Sequence, residues 1–450
     1  MSDLPTISHL QYQLAKGAMT SQALVQQALE RIENPAGEGS RAFTRVYAKQ
    51  AMQAARASDA LRQTGQTRSA LEGLPISVKD LFDVEGDITT AGSVVLKDAR
   101  PAVRNAVLVQ RLVDAGAIVV GRTNMTEFAF SGLGINPHYG TPSSPWDRDT
   151  GHISGGSSSG SGVAVADHMS VMSLGTDTGG SIRIPAAFCG VTGFKPTARR
   201  LSAEGALPLS FSMDSSGPIG LSVQCCATSD AILAGEQPQR LEPAPLEGLR
   251  FAIPATMVLD GADDHVVKVF EHAIKTLEQA GAQISTIALP EFEQLPYINR
   301  KGGLIAAEAW AWHKDLVQER EADYDPRVSS RILRGGEMLA SDYIEVLQAR
   351  QAWIAAVEHR LRWYDALLMP TAPIVPPSIA ELSASDDVYF PTNLKILRNP
   401  TFINFLDGCA LSIPCHPNGT APVGLMVAGT VMQDKRILQV GQAIETALER

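Results

Sequence analysis

Charge is scarce in this sequence. Of 450 residues, 19% are Asp, Glu, Lys or Arg, against roughly 25% in an ordinary soluble protein. The balance is acidic, with a net charge of −10 and no run of Lys or Arg longer than two. That excludes the basic stripe of a nucleic-acid surface. Met1 to Lys16 lacks a basic region followed by an apolar stretch, so no secretory leader is expected. Long apolar runs are missing too. Residues 151–166 carry no charge but are mostly Gly and Ser, and residues 368–380 are broken by four prolines. No membrane span is expected. Five cysteines with no C-x-x-C spacing suggest neither a disulfide framework nor a zinc site. They are expected to be reduced and buried, which points to a cytoplasmic location. The nine histidines form no H-E-x-x-H, so the usual zinc-hydrolase motif is absent.

Apolar residues and glycine are plentiful, at 44% and 38 residues respectively. Intrinsic disorder is excluded. Length alone suggests about three domains. The low charge fraction instead favours one large core, because surface grows more slowly than volume.

Local patterns describe an α/β chain. Residues 1–70 read as helical. Leu24, Val25, Ala28, Leu29 and Ile32 make one apolar face, with Thr20 or Ser21 as its cap. Ala51 to Thr64 reads as a second helix. Leu74 to Val78 reads as a strand with Leu74, Ile76 and Val78 on one face, and Lys79 shares the other face with Ser77. Asn105 to Ala115 reads as a helix stopped by Gly116, followed by a buried strand from Ala117 to Val120. The unit recurs in the helix His265 to Ala280, Gly281 and the strand Ala282 to Ile287. Leu249 to Ile253 and Ala366 to Met369 are further strands, and Glu308 to Trp363 is largely helical. The prolines between Leu241 and Leu246 mark a connection, and Pro370 to Pro377 an extended loop.

Glycine and serine concentrate between Gly151 and Gly193, with 10 glycines and 8 serines in 43 residues. An even spread would put about 3.6 glycines there. Apolar stretches woven through the segment, 163–166 and 171–174, exclude a flexible linker. Close backbone approach is the alternative. Three motifs in this region fail on physical grounds. Gly156 to Gly160 fits G-x-S-x-G, but the polar segment 147–154 before it is no strand, as a nucleophile elbow requires. Asp149 and Asp177 both head D-T-G triplets, but they lie too close in sequence for the two lobes that let paired carboxylates share a proton. Gly175 to Ser181 lacks the lysine of a phosphate loop.

What remains is Thr178-Gly179-Gly180-Ser181. Its glycines let successive N–H groups converge on one point, a nest suited to an oxyanion. Ser181 at its end suits a nucleophile. No histidine lies near in sequence to serve as base, but a desolvated lysine can do so.

The stretch from Gly155 to Ala186 resembles the amidase signature, including its Asp177, Arg183 and Pro185. Gly73-Leu74-Pro75-Ile76-Ser77-Val78-Lys79-Asp80 resembles the family's lysine strand. Residues 115–128 and Pro422 to Met426 are similar to other family segments, so the likeness spans essentially the whole chain. Ser159 departs from the glycine that many members carry. The resemblance implies one α/β/α domain over residues 1–450 around a central twisted mixed sheet. Within it, residues 1–70 are helical, 71–235 hold the catalytic core with a signature loop at 151–193, and 245–450 complete the fold with a helical insert at about 300–363. It implies a Ser–cisSer–Lys triad of Ser181, Ser157 and Lys79, with a cis peptide before Ser157. It also implies an oxyanion hole from the N–H groups of Thr178, Gly179, Gly180 and Ser181, and neither metal nor organic cofactor. Asp177 and Arg183 are expected to brace the loop by charge-assisted hydrogen bonds. Ala129, Phe130 and Ile135 lie where the family often lines its acyl pocket.

The implied reaction is hydrolysis of a small or aryl amide, or of a related carbamate or urea, as in aryl acylamidases and urethanases. The partner is then a small molecule, with neither nucleic acid nor membrane, and a homo-oligomer is compatible. A second reading is the glutaminase subunit of a tRNA-dependent amidotransferase. Ile184 speaks against it, standing where those subunits usually carry glutamine. Lys395 to Arg398 offers no carboxylate for the amino group of glutamine, which a buried site must pair. A third reading, a non-catalytic scaffold, fits poorly with an intact Lys79, Ser157 and Ser181.

Overall fold

Among the described residues, eleven strands form one mixed sheet. They are β1 (Phe43–Val46), β2 (Pro75–Lys79), β3 (Ile118–Thr123), β4 (Met172–Asp177), β5 (Thr192–Lys195), β6 (Ser215–Gly220), β7 (Arg250–Pro254), β8 (Gln283–Ile287), β9 (Ala366–Pro370), β10 (Cys409–Pro414) and β11 (Gly424–Gly429). A computed structural model describes residues 5–449. The strand order is β1-β3-β2-β4-β6-β5-β10-β11-β9-β7-β8. β2 runs parallel to β3 and β4, and β7 parallel to β8 and β9. The strands between these two groups are joined by antiparallel pairs.

Both faces of the sheet are covered by helices, so successive side chains enter different cores. On β9 to β11, Leu368, Leu411, Leu425 and Val427 pack with Phe270, Leu277 and Ile444 from the helices Asp264–Gln279 and Asp434–Leu448. Their neighbours Leu367, Met369, Ala410 and Met426 pack on the other side with Phe292, Trp353 and Phe402. On β2, Ile76 and Val78 join one core, and Ser77 and Lys79 take the opposite face, as the alternation predicts. All five residues of β2 are buried.

The amphipathic helices appear where their periodicity places them. Ser21–Glu33 is capped by the Thr20 hydroxyl, which accepts the Ala23 N–H at 3.1 Å. Ala48–Gln63, Val107–Asp114 and Asp264–Gln279 follow. Three helices, Gly303–Arg320, Pro326–Gly335 and Ala340–Leu361, fill the expected insert.

Three expectations change. The N-terminal 70 residues are not wholly helical, because β1 pairs with β3 at the sheet edge. The strand expected over Ala282 to Ile287 begins one residue later, as β8, and is an edge strand with its side chains largely exposed. The segment 151–193 is not one loop. It contains the helix Ser159–Ala166, β4, the helix Arg183–Cys189 and part of β5. Glycine enters these regular elements because backbones crowd there. A Cβ on Gly160 would lie 2.1 Å from the Ala42 carbonyl oxygen. One on Gly217 of β6 would lie 2.3 Å from that of Phe194. Pro218 is tolerated inside the sheet because the β5–β6 ladder covers only Ile219 and Gly220 on the β6 side.

Trp353 anchors the helical insert. It is 2% exposed, packs edge-on to Phe405 with ring centroids 5.3 Å apart, and donates its indole N–H to the Glu291 carbonyl at 2.6 Å. Trp353→Ala leaves a cavity and is expected to lower stability by about 3–5 kcal/mol, read by chemical denaturation. A loss below about 1 kcal/mol would show that the insert is not docked through this side chain.

Candidate active site

Lys79 closes β2, the strand between β3 and β4, and is fully buried. Its Nζ donates to Ser157 Oγ at 2.7 Å and to Thr176 Oγ1 at 2.8 Å. Thr176 comes from β4 beside it. Burial disfavours the ammonium and lowers the Lys79 pKa from 10.5 to about 7, with the charges of Asp214 and Asp177 acting in the opposite direction. Asp80, the next residue, is no solvated strand end. Its Oδ1 accepts the Arg122 Nε–H at 2.5 Å, and both side chains are 1% exposed.

Ser157 follows a cis Gly156–Ser157 peptide bond. Its carbonyl accepts the Thr126 N–H at 3.0 Å, and the Gly156 N–H donates to Gly132 at 2.8 Å. A Cβ on Gly156 would lie 2.5 Å from the Gly134 nitrogen, so only glycine fits. The Ser158 N–H donates to the Ser181 carbonyl at 3.3 Å, bringing the two serine turns together. Ser181 is 4% exposed.

Asp177, the last residue of β4, shapes the turn that presents Ser181. Its Oδ1 accepts the Gly180 N–H at 2.8 Å and its Oδ2 the Ile182 N–H at 3.1 Å. Arg183 closes on the same carboxylate through Nε at 3.0 Å and an Nη at 2.8 Å, and both side chains are fully buried. Burial alone would raise the Asp177 pKa. The Arg183 charge and hydrogen bonds overcome this and hold the carboxyl well below its usual range. These are the bracing contacts expected of the pair. They also correct the expected oxyanion hole. The Gly180 N–H already serves Asp177, which leaves those of Thr178, Gly179 and Ser181 as the candidate donors. Gly180 remains necessary for its backbone, at φ +128°, where a Cβ would meet Ile184 at 2.6 Å and Pro400 at 2.7 Å.

A cavity of about 300 Å³ opens beside Thr176 and Thr178. Of the three residues expected to line an acyl pocket, Ala129 lies on the wall of this cavity. Phe130 instead lies under the Arg331 guanidinium, 5.0 Å from its ring centroid. Ile135 is buried in a core with Ile184 and Phe188. Sequence reasoning missed Thr176, Phe211, Asp214 and Trp312, all on the cavity wall. No local motif marks them. Strand pairing brings Thr176 and Asp214 together, with Asp177 opposite Ser215 and Thr176 opposite Ser216, and Trp312 comes from the helix Gly303–Arg320.

The decoys fall with the geometry. Asp149 is exposed, whereas Asp177 is buried on Arg183, so the two D-T-G aspartates form no dyad. No strand precedes Gly156, only isolated bridges at Ser143–Ile153 and His152–Ser378.

The family model described as Amidase matches residues 23–438. The chain is 36% identical to a 2-amino-5-chloromuconic acid deaminase of Comamonas testosteroni, across 88% of this chain and 86% of that protein. It is 32% identical to a glutamyl-tRNA(Gln) amidotransferase subunit of Chloroflexus aggregans, across 98% and 96%. A crystal structure of an amidase superposes with TM-score 0.87 at 34% identity, covering 98% of this chain and 99% of that one.

Arg183→Leu leaves the Asp177 charge buried and unpaired, and is expected to cost about 3–5 kcal/mol in chemical denaturation. Asp177→Asn in the same background is expected to recover part of the loss. Additive losses in the double variant would show that the two side chains are not coupled.

Proposed function

The chain belongs to the Amidase family and is a hydrolase acting on carbon–nitrogen bonds, and on that premise we propose that Ser181 cleaves a small or aryl amide through an acyl-enzyme. Carbamates and urea-type substrates present the same carbonyl and belong to the same reading. The observation that carries it is the buried Lys79 amine 2.7 Å from Ser157.

A neutral Lys79 keeps one N–H on Thr176 and turns its lone pair to the Ser157 hydroxyl. Ser157 passes its proton to Lys79 while taking the proton of Ser181. Ser181 Oγ then bonds to the substrate carbonyl carbon, and the N–H groups of Thr178, Gly179 and Ser181 receive the oxyanion. As the C–N bond breaks, Ser157 protonates the leaving nitrogen and recovers its own proton from Lys79. Water repeats the sequence on the acyl-enzyme, releasing the acid and restoring Ser181.

The amidotransferase glutaminase is the second reading, favoured by the 32% identity over 98% of this chain. Two observations weigh against it. Ile184 is fully buried in an apolar cluster. Between Lys395 and Arg398 the charged groups are cationic, and they donate to the carbonyls of Gly261, Asp260 and Val258. Nothing in that stretch pairs an ammonium.

Ser181→Ala and Lys79→Ala are each expected to lower turnover of a chromogenic anilide or carbamate by at least about 10³-fold. Undiminished turnover in either variant overturns the triad. Glutamine hydrolysis with neither anilide nor carbamate turnover would favour the glutaminase reading. The sign of the pH dependence follows from Lys79. The ammonium cannot accept a proton, so kcat/KM is expected to rise with pH through about 7 and to level above it. A rate falling across that interval would exclude Lys79 as the base.

A further inference from the structure

Asp177 and Asp214, the two carboxylates whose charges act on Lys79, are of unequal standing. Asp177 is neutralised by Arg183. Asp214, just ahead of β6, has no cationic partner among the described residues. Its Oδ1 accepts the Thr178 hydroxyl, and its Oδ2 accepts the N–H groups of Leu209 at 2.9 Å and Ser210 at 3.0 Å. It is the one ionisable side chain on the wall of the cavity that Thr176 and Thr178 share. Lys79 donates to Thr176 at 2.8 Å and Thr178 donates to Asp214, so the amine and this carboxylate are hydrogen-bonded to two threonines that line the same cavity. The sheet makes the meeting unavoidable. β2 pairs with β4 and β4 with β6, so the end of β2, the end of β4 and the start of β6 share one edge.

Other charges nearby are already answered. Asp80 is paired with Arg122. Lys195 on β5 donates to the carbonyls of Pro196 and Gly408. Glu308 accepts the hydroxyls of Ser210, Ser212 and Tyr343, and Arg350 donates to the carbonyls of Phe405, Ser212 and Asn404.

We propose that Asp214 is a positioning residue for Lys79, supplying the uncompensated negative charge that sets how firmly Lys79 holds its proton. Burial alone would leave the amine a weak base. A carboxylate across the hydroxyl wall strengthens it enough to take the proton of Ser157, yet not so much that it stays charged near neutrality. Asp214 itself is pushed up to about 6 by burial, so its charge is present in the range where the enzyme must work. Through Thr178 the same carboxylate also holds the first residue of the nest. The inference rests on the reading of Lys79 as the base.

The test measures Lys79 directly. In full-length protein carrying isotope-labelled lysine, the Lys79 side-chain resonance is titrated by NMR, alongside kcat/KM against pH on a chromogenic anilide. In Asp214→Asn the Lys79 midpoint is expected to move to lower pH by at least about half a unit, a threefold weaker hold on the proton. The acid limb of kcat/KM should move with it. Asp214→Glu, which keeps the charge, should stay near the parent in both readouts. Asp214→Ser is a second neutral variant should the asparagine protein fail to fold. An unmoved Lys79 midpoint in the neutral variants overturns the proposal, even if turnover falls. A shifted midpoint without a shifted acid limb upholds the coupling and removes Lys79 from the role of base.

Discussion

The buried pair Asp177–Arg183 is the contact on which the site depends. A charge pair in the interior adds little net stability, because desolvation offsets most of the attraction. Its effect here is specificity. One carboxylate collects the Gly180 and Ile182 N–H groups and the Arg183 fork. That fixes the turn between β4 and the helix Arg183–Cys189. Arg183 also reaches Asn404 and Met426, which tie the turn to the helix Asp386–Phe405 and to β11. The turn that carries Ser181 is thus held by elements from both halves of the sheet.

Around that turn the chemistry is one of controlled desolvation. A lysine is a poor base in water because it is charged. At the end of β2 it has no solvent and two hydroxyl partners, so the neutral amine becomes accessible near neutrality. Tight packing enforces this. Gly155, Gly156 and Gly180 leave no room for a side chain, so the chain packs closely around the polar groups. The apolar content of the sheet and the low charge of the chain serve the same end, since a small solvated fold could not shelter a lysine this way.

Helices were readable from sequence because their signal is local. The apolar stripe of Ser21–Glu33 and the Thr20 cap stand within one segment, and a surface helix buries one face. β2 was readable for the same reason. β4, β5 and β6 were not read as strands, because Gly, Ser and Pro within them carry the statistics of turns. They are strands because each is paired within the sheet, and glycine sits in them where a neighbouring backbone leaves no room for a larger residue, as at Gly217 against Phe194. β8 is legible as a strand, but its place at the exposed edge of the sheet is not, because that depends on the strand order.

The sequence by itself determined the family and the mixed α/β architecture and singled out Lys79, Ser157 and Ser181 as candidates, because these rest on residue types at set spacings. It also foretold the brace of Asp177 and Arg183. Only the tertiary structure decided which groups remain free to act. The Gly180 N–H is taken by Asp177, Ile135 is sunk in a core, and Asp214 is brought to the cavity wall with Thr176 and Thr178. Each outcome depends on hydrogen-bond partners and burial supplied by other segments. A motif records which groups are present. Only the packed sheet, by pairing and desolvating them, sets their chemistry.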